Sequence, residues 1–141
     1  MANKKILIIE DDPDLRLGYH VRLKADSYDT FFATDAVAGV SEARKNQPDL
    51  ILLDLGLPGG GGFIVIERLK ANPHLALIPI IVVSGRAGLV NQERALKEGV
   101  KAFLEKPVDN AELSAAIRHA LGEPAKHDKR DKHARYDLTT N

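Results

Sequence analysis

Four groups of polar residues each follow a short apolar run, and their types indicate phosphoryl chemistry. The groups are Glu10-Asp11-Asp12, Asp54, Ser84 and Lys106-Pro107. Clustered carboxylates repel one another unless a cation compensates them, and hard oxygen ligands of this kind favour Mg²⁺. Such an ion neutralises charge on phosphoryl oxygens, while an ammonium and a hydroxyl contact the remaining ones. The four groups therefore predict a metal-dependent site that handles phosphate.

Asp54 is the natural nucleophile of this set. It follows the apolar run Leu50-Ile51-Leu52-Leu53, and an aspartate can form an acyl phosphate as a covalent intermediate or a stored product. Taken alone, an ordinary carboxylate at the end of a strand is the competing interpretation. The acidic residues 10–12 have a competing role as well, because acidic side chains favour the first turn of a helix.

The elements that must position these groups follow from the apolar pattern. Short branched apolar runs alternate with longer amphipathic stretches, which is typical of a parallel sheet wrapped by helices. The predicted strands cover residues 6–9, 28–33, 50–53, 79–83 and 102–104. We therefore predict an α/β fold with a doubly wound, five-stranded parallel sheet. Ligands of such sheets lie beyond the carboxyl ends of the strands, so the four polar groups should converge there.

Capping and breaking residues divide the intervening stretches into five helices. Pro13 suits a first helical turn, Asp35 can cap the second helix, and Pro48 stops it. Asn72-Pro73 ends the third helix, and the fourth runs to about Glu98, where Gly99 suits its carboxyl end. Asp109 and Glu112 resemble a capping box at the start of the fifth helix.

Composition limits the domain organisation and the classes of partner. The 141 residues are 44% hydrophobic, enough for one core, and there is no cysteine for a disulfide or thiolate site. Lysine plus arginine and aspartate plus glutamate each number 20, so no charge excess favours direct binding to nucleic acid or a membrane. We predict a cytoplasmic protein with one domain at residues 1–122, followed by a polar tail or linker at 123–141 that is expected to be flexible.

Four motifs together resemble the receiver domains of bacterial response regulators. They are Ile6-Leu7-Ile8-Ile9-Glu10-Asp11-Asp12, Leu52-Leu53-Asp54-Leu55-Gly56-Leu57-Pro58, Val82-Val83-Ser84-Gly85 and Phe103-Leu104-Glu105-Lys106-Pro107. They occur in the family's order and spacing, and the resemblance covers roughly Lys4 to Leu121. It implies a flavodoxin-like (β/α)5 fold with strand order 2-1-3-4-5. It also implies a phosphoprotein of a two-component phosphorelay, whose only catalysis is the Mg²⁺-dependent phosphorylation and dephosphorylation of its own aspartate.

The resemblance assigns the metal and phosphoryl sites residue by residue. Asp54 is the implied phosphorylation site, and Asp11 and Asp54 are direct Mg²⁺ ligands. Glu10 is implied to act largely through a water on the metal, and the backbone carbonyl of Gly56 to complete the protein ligands. A shift of register by one residue would replace Glu10 with Asp12. The family pattern favours Glu10 and Asp11, which makes Asp12 a first-turn residue.

Further roles carried over from the family concern phosphate contact and signalling. Ser84 and Lys106 are implied to bind phosphoryl oxygens, and the Lys106–Pro107 bond to be cis. Phe103 occupies the position of an aromatic switch that moves inward as Ser84 shifts, although simple core packing would look the same in sequence. Gly56 and Arg86, each two residues after a site residue, are expected to tune the lifetime of the phosphoryl group. The tract Gly59 to Gly62 beside the site fits either a mobile loop or a permissive turn.

Two enzyme classes fit the sequence poorly. A haloacid dehalogenase-type phosphatase would need a second acid two residues after its nucleophile, where this chain has Gly56. A nucleotide binder would need a glycine-rich loop after the first strand, where this chain has Glu10-Asp11-Asp12-Pro13. A receiver-shaped interaction module that no longer takes phosphate is the third alternative.

The expected partners follow from the resemblance. They are a histidine kinase or histidine phosphotransfer protein, a downstream protein target, and a second copy bound through the face of the fourth helix, fifth strand and fifth helix. No effector segment follows Leu121 in the sequence, so we expect a stand-alone receiver or a piece of a longer regulator.

Overall fold

The computed structural model describes residues 2–58, 61–85, 89–124 and 135–136. Strands and helices alternate along the described chain, and a short additional strand follows the last helix. The strands are β1 (Lys5–Ile9), β2 (Asp29–Ala33), β3 (Leu50–Asp54), β4 (Ile80–Ser84), β5 (Ala102–Glu105) and β6 (Arg135–Tyr136). The helices are α1 (Pro13–Ala25), α2 (Ala36–Asn46), α3 (Gly61–Ala71), α4 (Leu89–Lys97) and α5 (Asn110–Leu121).

All strands belong to one sheet with the order β2-β1-β3-β4-β5-β6. The first five strands are parallel in the predicted order 2-1-3-4-5, which confirms the doubly wound fold. β6 is the difference from that prediction, because it adds an antiparallel strand to the edge of β5. The polar composition of residues 123–141 gave no reason to expect a strand there.

Local side-chain chemistry explains where the helices begin and end. Asp35 caps α2 by accepting a hydrogen bond from the Ala38 amide at 2.8 Å, and Asp109 caps α5 through the Ala111 amide at 3.3 Å. Both caps confirm the sequence prediction. Gly122, at φ +70°, ends α5 in the left-handed conformation that glycine favours.

Asp12 is the one acidic residue whose helical position differs from the prediction. It is the N-cap of α1 rather than a first-turn residue, with extended backbone angles. Its Oδ1 accepts hydrogen bonds from the amides of Asp14 at 2.8 Å and Leu15 at 3.2 Å. Pro13 then occupies the first turn, where its missing amide hydrogen costs nothing.

The core lies on both faces of the sheet. One face carries Leu53 and Val82 against apolar residues of α2 and α3, and the other carries Leu52 and Val83 against α1 and α5. β3 and β4 are buried along their full length, as expected for central strands of a parallel sheet. Each fully buried leucine or isoleucine contributes about 1.5–3 kcal/mol relative to its exposed state. Within the described ranges, the helices are too short or too polar to cross a bilayer.

Candidate phosphoryl and metal site

Four strand ends bring the predicted site residues to one edge of the sheet. Glu10 directly follows β1, Asp54 and Ser84 are the last residues of β3 and β4, and Lys106 directly follows β5. The register pairs Asp54 with Val83 and Ser84 with Glu105, so neighbouring strands end at nearly the same height. The parallel sheet therefore brings together groups that lie up to 96 residues apart in the sequence.

Three carboxylates form a tight cluster at this edge. Glu10, Asp11 and Asp54 each place one carboxylate oxygen within 4.8 Å of those of the other two. Glu10 is 2% exposed and Asp54 8%, whereas Asp11 is exposed. Burial together with the charge on Asp54 raises the pKa of Glu10, although hydrogen bonds from Lys106 and the Asp12 amide oppose the rise. The cluster thus holds more negative charge than its surroundings readily accommodate.

Lys106 supplies part of the compensating charge. Its Nζ lies 2.9 Å from Glu10 Oε1 and 3.5 Å from Asp54 Oδ1. Burial by itself lowers the pKa of Lys106, but the hydrogen bond to Glu10 and the charge of Asp54 outweigh that effect, so the pKa is raised. The side chain is therefore a firmly charged ammonium beside the proposed nucleophile. The Lys106–Pro107 peptide bond is cis, as the resemblance implied.

Backbone amides hold the two buried carboxylates in place. The Gly56 amide donates to Asp54 Oδ1 at 3.0 Å, and the Asp12 amide donates to Glu10 Oε2 at 3.2 Å. Gly62, the second residue of α3, lies directly against this turn. A Cβ at Gly62 would meet the Leu55 Cα at 2.6 Å and the Asp54 carbonyl oxygen at 2.7 Å. Gly62 is therefore required by close approach, while Gly59 and Gly60 lie outside the described residues.

The donor set fits a hard divalent cation. Three carboxylate oxygens within 4.8 Å of one another are the ligands that Mg²⁺ prefers. The single Lys106 ammonium does not neutralise three carboxylates, so a cation would compensate the remaining negative charge. Asp12 is engaged at the start of α1, which favours the register with Glu10 and Asp11 over the one with Asp12. The Gly56 carbonyl as an additional ligand stays a prediction.

The predicted site residues Ser84 and Phe103 are both buried, on β4 and β5 respectively. Ser84 is 2% exposed at the end of β4. Phe103 is 1% exposed and belongs to the core face shared with α2 and α3, so its ring is inward in this structure. Its assignment as a switch stays a prediction. Arg86 lies outside the described residues.

Two residues of α1 border the site and were not identified from sequence. Arg16 donates from Nη1 to the carbonyls of Glu10 at 3.1 Å and Asp11 at 3.4 Å, which ties the helix to the acidic loop. Tyr19 is buried, and burial followed by the negative charges of Glu10 and Asp54 raises its pKa. A cation one turn into the helix that follows an acidic triplet is the signal that could have found Arg16.

An open groove adjoins the exposed side of the cluster. It has a volume of about 510 Å³ and is lined by residues that include Asp11, Asp35, Val37 and Pro58. Val37 is 66% exposed, and on α1 Leu17 and Val21 are each 59% exposed. Leu17 and Val21 are four residues apart and share one face of the helix. Exposed apolar side chains that adjoin one another are suited to contact with another protein, and Leu17 and Val21 form such a pair on α1.

Comparison with known proteins identifies the family to which this chain is similar. The model of the response regulator receiver domain matches residues 6–118. The chain is 35% identical over 117 residues to the DNA-binding dual master transcriptional regulator RpaA of Synechocystis sp., covering 83% of this chain and 48% of that protein. It is 37% identical over 116 residues to the KDP operon transcriptional regulatory protein KdpE of Escherichia coli, covering 82% of this chain and 50% of that protein. The chain thus spans about half the length of these curated relatives.

Solved structures agree with the sequence comparison. The receiver domain of the sensor histidine kinase PA1611 from Pseudomonas aeruginosa PAO1, with a magnesium ion in its active site cleft, has a TM-score of 0.79 at 27% identity over 86% of this chain and all of that chain. A CheY-like receiver domain protein from Methanospirillum hungatei has a TM-score of 0.78 at 29% identity, covering 85% of this chain and 94% of that one. By fold, motif order and family match, this chain belongs to the response regulator receiver domain family, the signalling domain of two-component systems.

Proposed function

We propose that this chain accepts a phosphoryl group on Asp54 from a phosphohistidine of a histidine kinase or phosphotransfer protein. The observation that carries the proposal is the position of Asp54, nearly buried at the end of β3 with its Oδ1 3.5 Å from the Lys106 ammonium. A carboxylate with a purely structural role is not expected beside two other carboxylates, as Asp54 is beside Glu10 and Asp11. Such crowding is costly unless the site serves a cation and an incoming anion.

The proposed reaction is a direct phosphoryl transfer. An Asp54 carboxylate oxygen attacks phosphorus, an oxygen–phosphorus bond forms, and the bond from phosphorus to the donor nitrogen breaks with its electron pair going to the imidazole. Lys106 contacts a phosphoryl oxygen and offsets the negative charge, and Ser84 contacts another. Asp11, Asp54 and the Gly56 carbonyl, with Glu10 acting largely through a water, would hold Mg²⁺, which when bound would neutralise charge on the phosphoryl oxygens.

The donor is proposed to approach over the exposed side of the acidic cluster. Asp11 lines the open groove there together with Asp35, Val37 and Pro58. The exposed pair Leu17 and Val21 on α1 offers an apolar contact area of the kind that protein partners use. A small phosphodonor can reach Asp54 without that surface, and a protein donor would gain affinity from it.

The proposed output is a change in the surface formed by α4, β5 and α5. We propose that phosphate contact with Ser84 at the end of β4 shifts Phe103 in β5, the strand that pairs directly with β4. A downstream protein, or a second copy of this chain, is the proposed partner at that surface. Gly56 and Arg86 are proposed to set the phosphoryl lifetime. We place the reaction in the cytoplasm and assign no direct nucleic-acid contact to this domain.

Intact mass spectrometry after incubation with acetyl phosphate tests the proposal. The wild-type protein should gain one phosphoryl mass with Mg²⁺ and none with a chelator. Asp54→Asn should gain none under either condition, because the amide is not a nucleophile of comparable strength. Lys106→Met, which keeps side-chain length without charge, should slow the gain by roughly 10-fold or more.

Glu67→Gln is the matched control, because Glu67 is an exposed carboxylate on α3 that does not belong to the cluster of Glu10, Asp11 and Asp54. It should be phosphorylated like the wild type. Absence of any mass gain in folded, Mg²⁺-binding wild-type protein would instead support an interaction module that works without phosphate.

A further inference from the structure

The edge of β5 is covered by a segment of the same chain. β6 pairs with β5 in antiparallel orientation, with Ala102 opposite Tyr136 and Phe103 opposite Arg135. Without β6, β5 would be the outer strand of the sheet on that side. Outer strands present unpaired backbone groups on which another strand can build. The pairing therefore occupies a position where a partner could add.

The backbone pattern of β5 identifies which amide faces the added strand. The Lys101 amide donates to the Ile80 carbonyl at 2.8 Å, so the backbone of Lys101 points toward β4. Successive residues of a strand direct their amide and carbonyl to opposite sides. The Ala102 amide therefore points away from β4 and toward β6, where its partner in the register is Tyr136.

The number of residues between α5 and β6 allows this pairing within one molecule. Glu123 is held at the amino-terminal end of the sheet by the Tyr28 hydroxyl at 2.7 Å and Lys4 Nζ at 3.2 Å. Lys4 precedes β1, and β5 lies three strands away, which is about 14 Å at the usual strand spacing. Residues 125–134 can span up to about 33 Å when extended. The segment thus has ample reach to cross to β5 of its own domain.

We propose that Arg135–Tyr136 is an intramolecular cap on the β5 edge, which closes the centre of the α4–β5–α5 surface to any partner that adds an extended strand there. A partner that uses this edge must displace the cap, so its affinity is lowered by the cap's own pairing free energy. The inference depends on backbone pairing and not on phosphoryl chemistry. If β6 does not cap β5, the proposed phosphorylation of Asp54 still stands. If Asp54 is not phosphorylated, the cap on β5 still stands.

Residue-resolved amide hydrogen exchange on the full chain tests the cap. The double variant Arg135→Pro/Tyr136→Pro removes both amide donors of β6 and should speed exchange of the Ala102 amide by roughly 10-fold or more. The Lys101 amide, bonded to β4, should not change. The matched control Thr139→Pro/Thr140→Pro adds the same prolines beyond the strand and should leave Ala102 protected.

Addition in trans provides the second arm. A peptide with the sequence of residues 131–141 should restore protection of Ala102 in the Arg135→Pro/Tyr136→Pro variant, and the same peptide carrying the two prolines should not. Unchanged Ala102 exchange in the variant would overturn the cap. Wild-type protection that falls on dilution would also overturn it, because the pairing would then join two copies of the chain.

Discussion

Lys106 Nζ and Glu10 Oε1 lie 2.9 Å apart, joining the loop after the fifth strand to the end of the first. The pair gives a charged partner to the carboxylate of Glu10, a residue that is only 2% exposed. Buried ion pairs stabilise little on balance, because desolvation cancels most of the attraction. The pair's value lies in keeping an ammonium beside Asp54.

Asp54→Asn should stabilise the metal-free protein at pH 7. Burial, with the charge of Asp54 as a further cause, raises the pKa of Glu10, so the contribution of Glu10 to stability is present at low pH and is lost as the pH rises through the raised pKa. Removing the charge of Asp54 removes its repulsion of the Glu10 carboxylate, which should raise the free energy of unfolding by about 1 kcal/mol. Urea unfolding in the presence of a chelator measures the change, with Glu67→Gln as the control. A less stable Asp54→Asn would show that Asp54 is a net stabilising partner of Lys106.

Asp11→Asn and Asp12→Asn should separate the two registers of the metal site. Asparagine still caps a helix, so Asp12→Asn should keep both the fold and the stabilisation by Mg²⁺. Asp11→Asn should lose most of that stabilisation, which for the wild type is about 2.7 kcal/mol at a Mg²⁺ concentration 100 times the Kd. Thermal unfolding at increasing Mg²⁺ makes the comparison. The opposite pattern would move the site to Asp12.

Gly62→Ala should destabilise the protein by about 2 kcal/mol or more, because the new Cβ meets backbone atoms of Leu55 and Asp54 that cannot move aside. Gly18→Ala is the matched control. Gly18 lies in α1 with open space around the added atom, so alanine there should stabilise by about 0.5–1 kcal/mol. Equal effects of the two substitutions in chemical unfolding would contradict the close packing of α3 against the Asp54 turn.

Glu123→Gln should lower stability at pH 7 and lose its effect in acid. Burial tends to raise the pKa of Glu123, but hydrogen bonds from Tyr28 and Lys4 outweigh it, so the pKa lies below the ordinary 4.5. A lowered carboxyl pKa gives stability above that ordinary value, and the stability disappears as the pH falls through the folded-state pKa. The partly exposed position keeps the effect under about 1 kcal/mol. Unfolding midpoints measured from pH 7 down into strong acid test this, and a difference that does not shrink as the pH falls would rule out the ionic origin.

The sequence was sufficient to predict the convergence of Asp54, Ser84 and Lys106, because parallel strands end at a common edge whatever the packing details. The strand bounds differ by about one residue from the prediction, as at β3, which includes Asp54 itself. Helix caps such as Asp35 were predictable because their chemistry is local.

Features that depend on distant parts of the chain were not predictable in the same way. Gly62 looks like any residue of a glycine tract, and its requirement appears only when α3 meets the Leu55 backbone. The sequence of β6 shows no apolar alternation that would predict a strand. The strand forms where the edge of β5 offers backbone groups for pairing. Contact between Tyr28 and Glu123 spans 95 residues and has no sequence signal.

The identity of the acceptor residue is the central claim, and chemical trapping tests it most directly. After phosphorylation by acetyl phosphate with Mg²⁺, borohydride reduction converts an acyl phosphate into an alcohol, which turns a phosphorylated aspartate into homoserine. Peptide mapping should find homoserine at position 54 and unchanged aspartate at positions 11 and 12. Homoserine at either of those positions, with Asp54 intact, would contradict the account of this site.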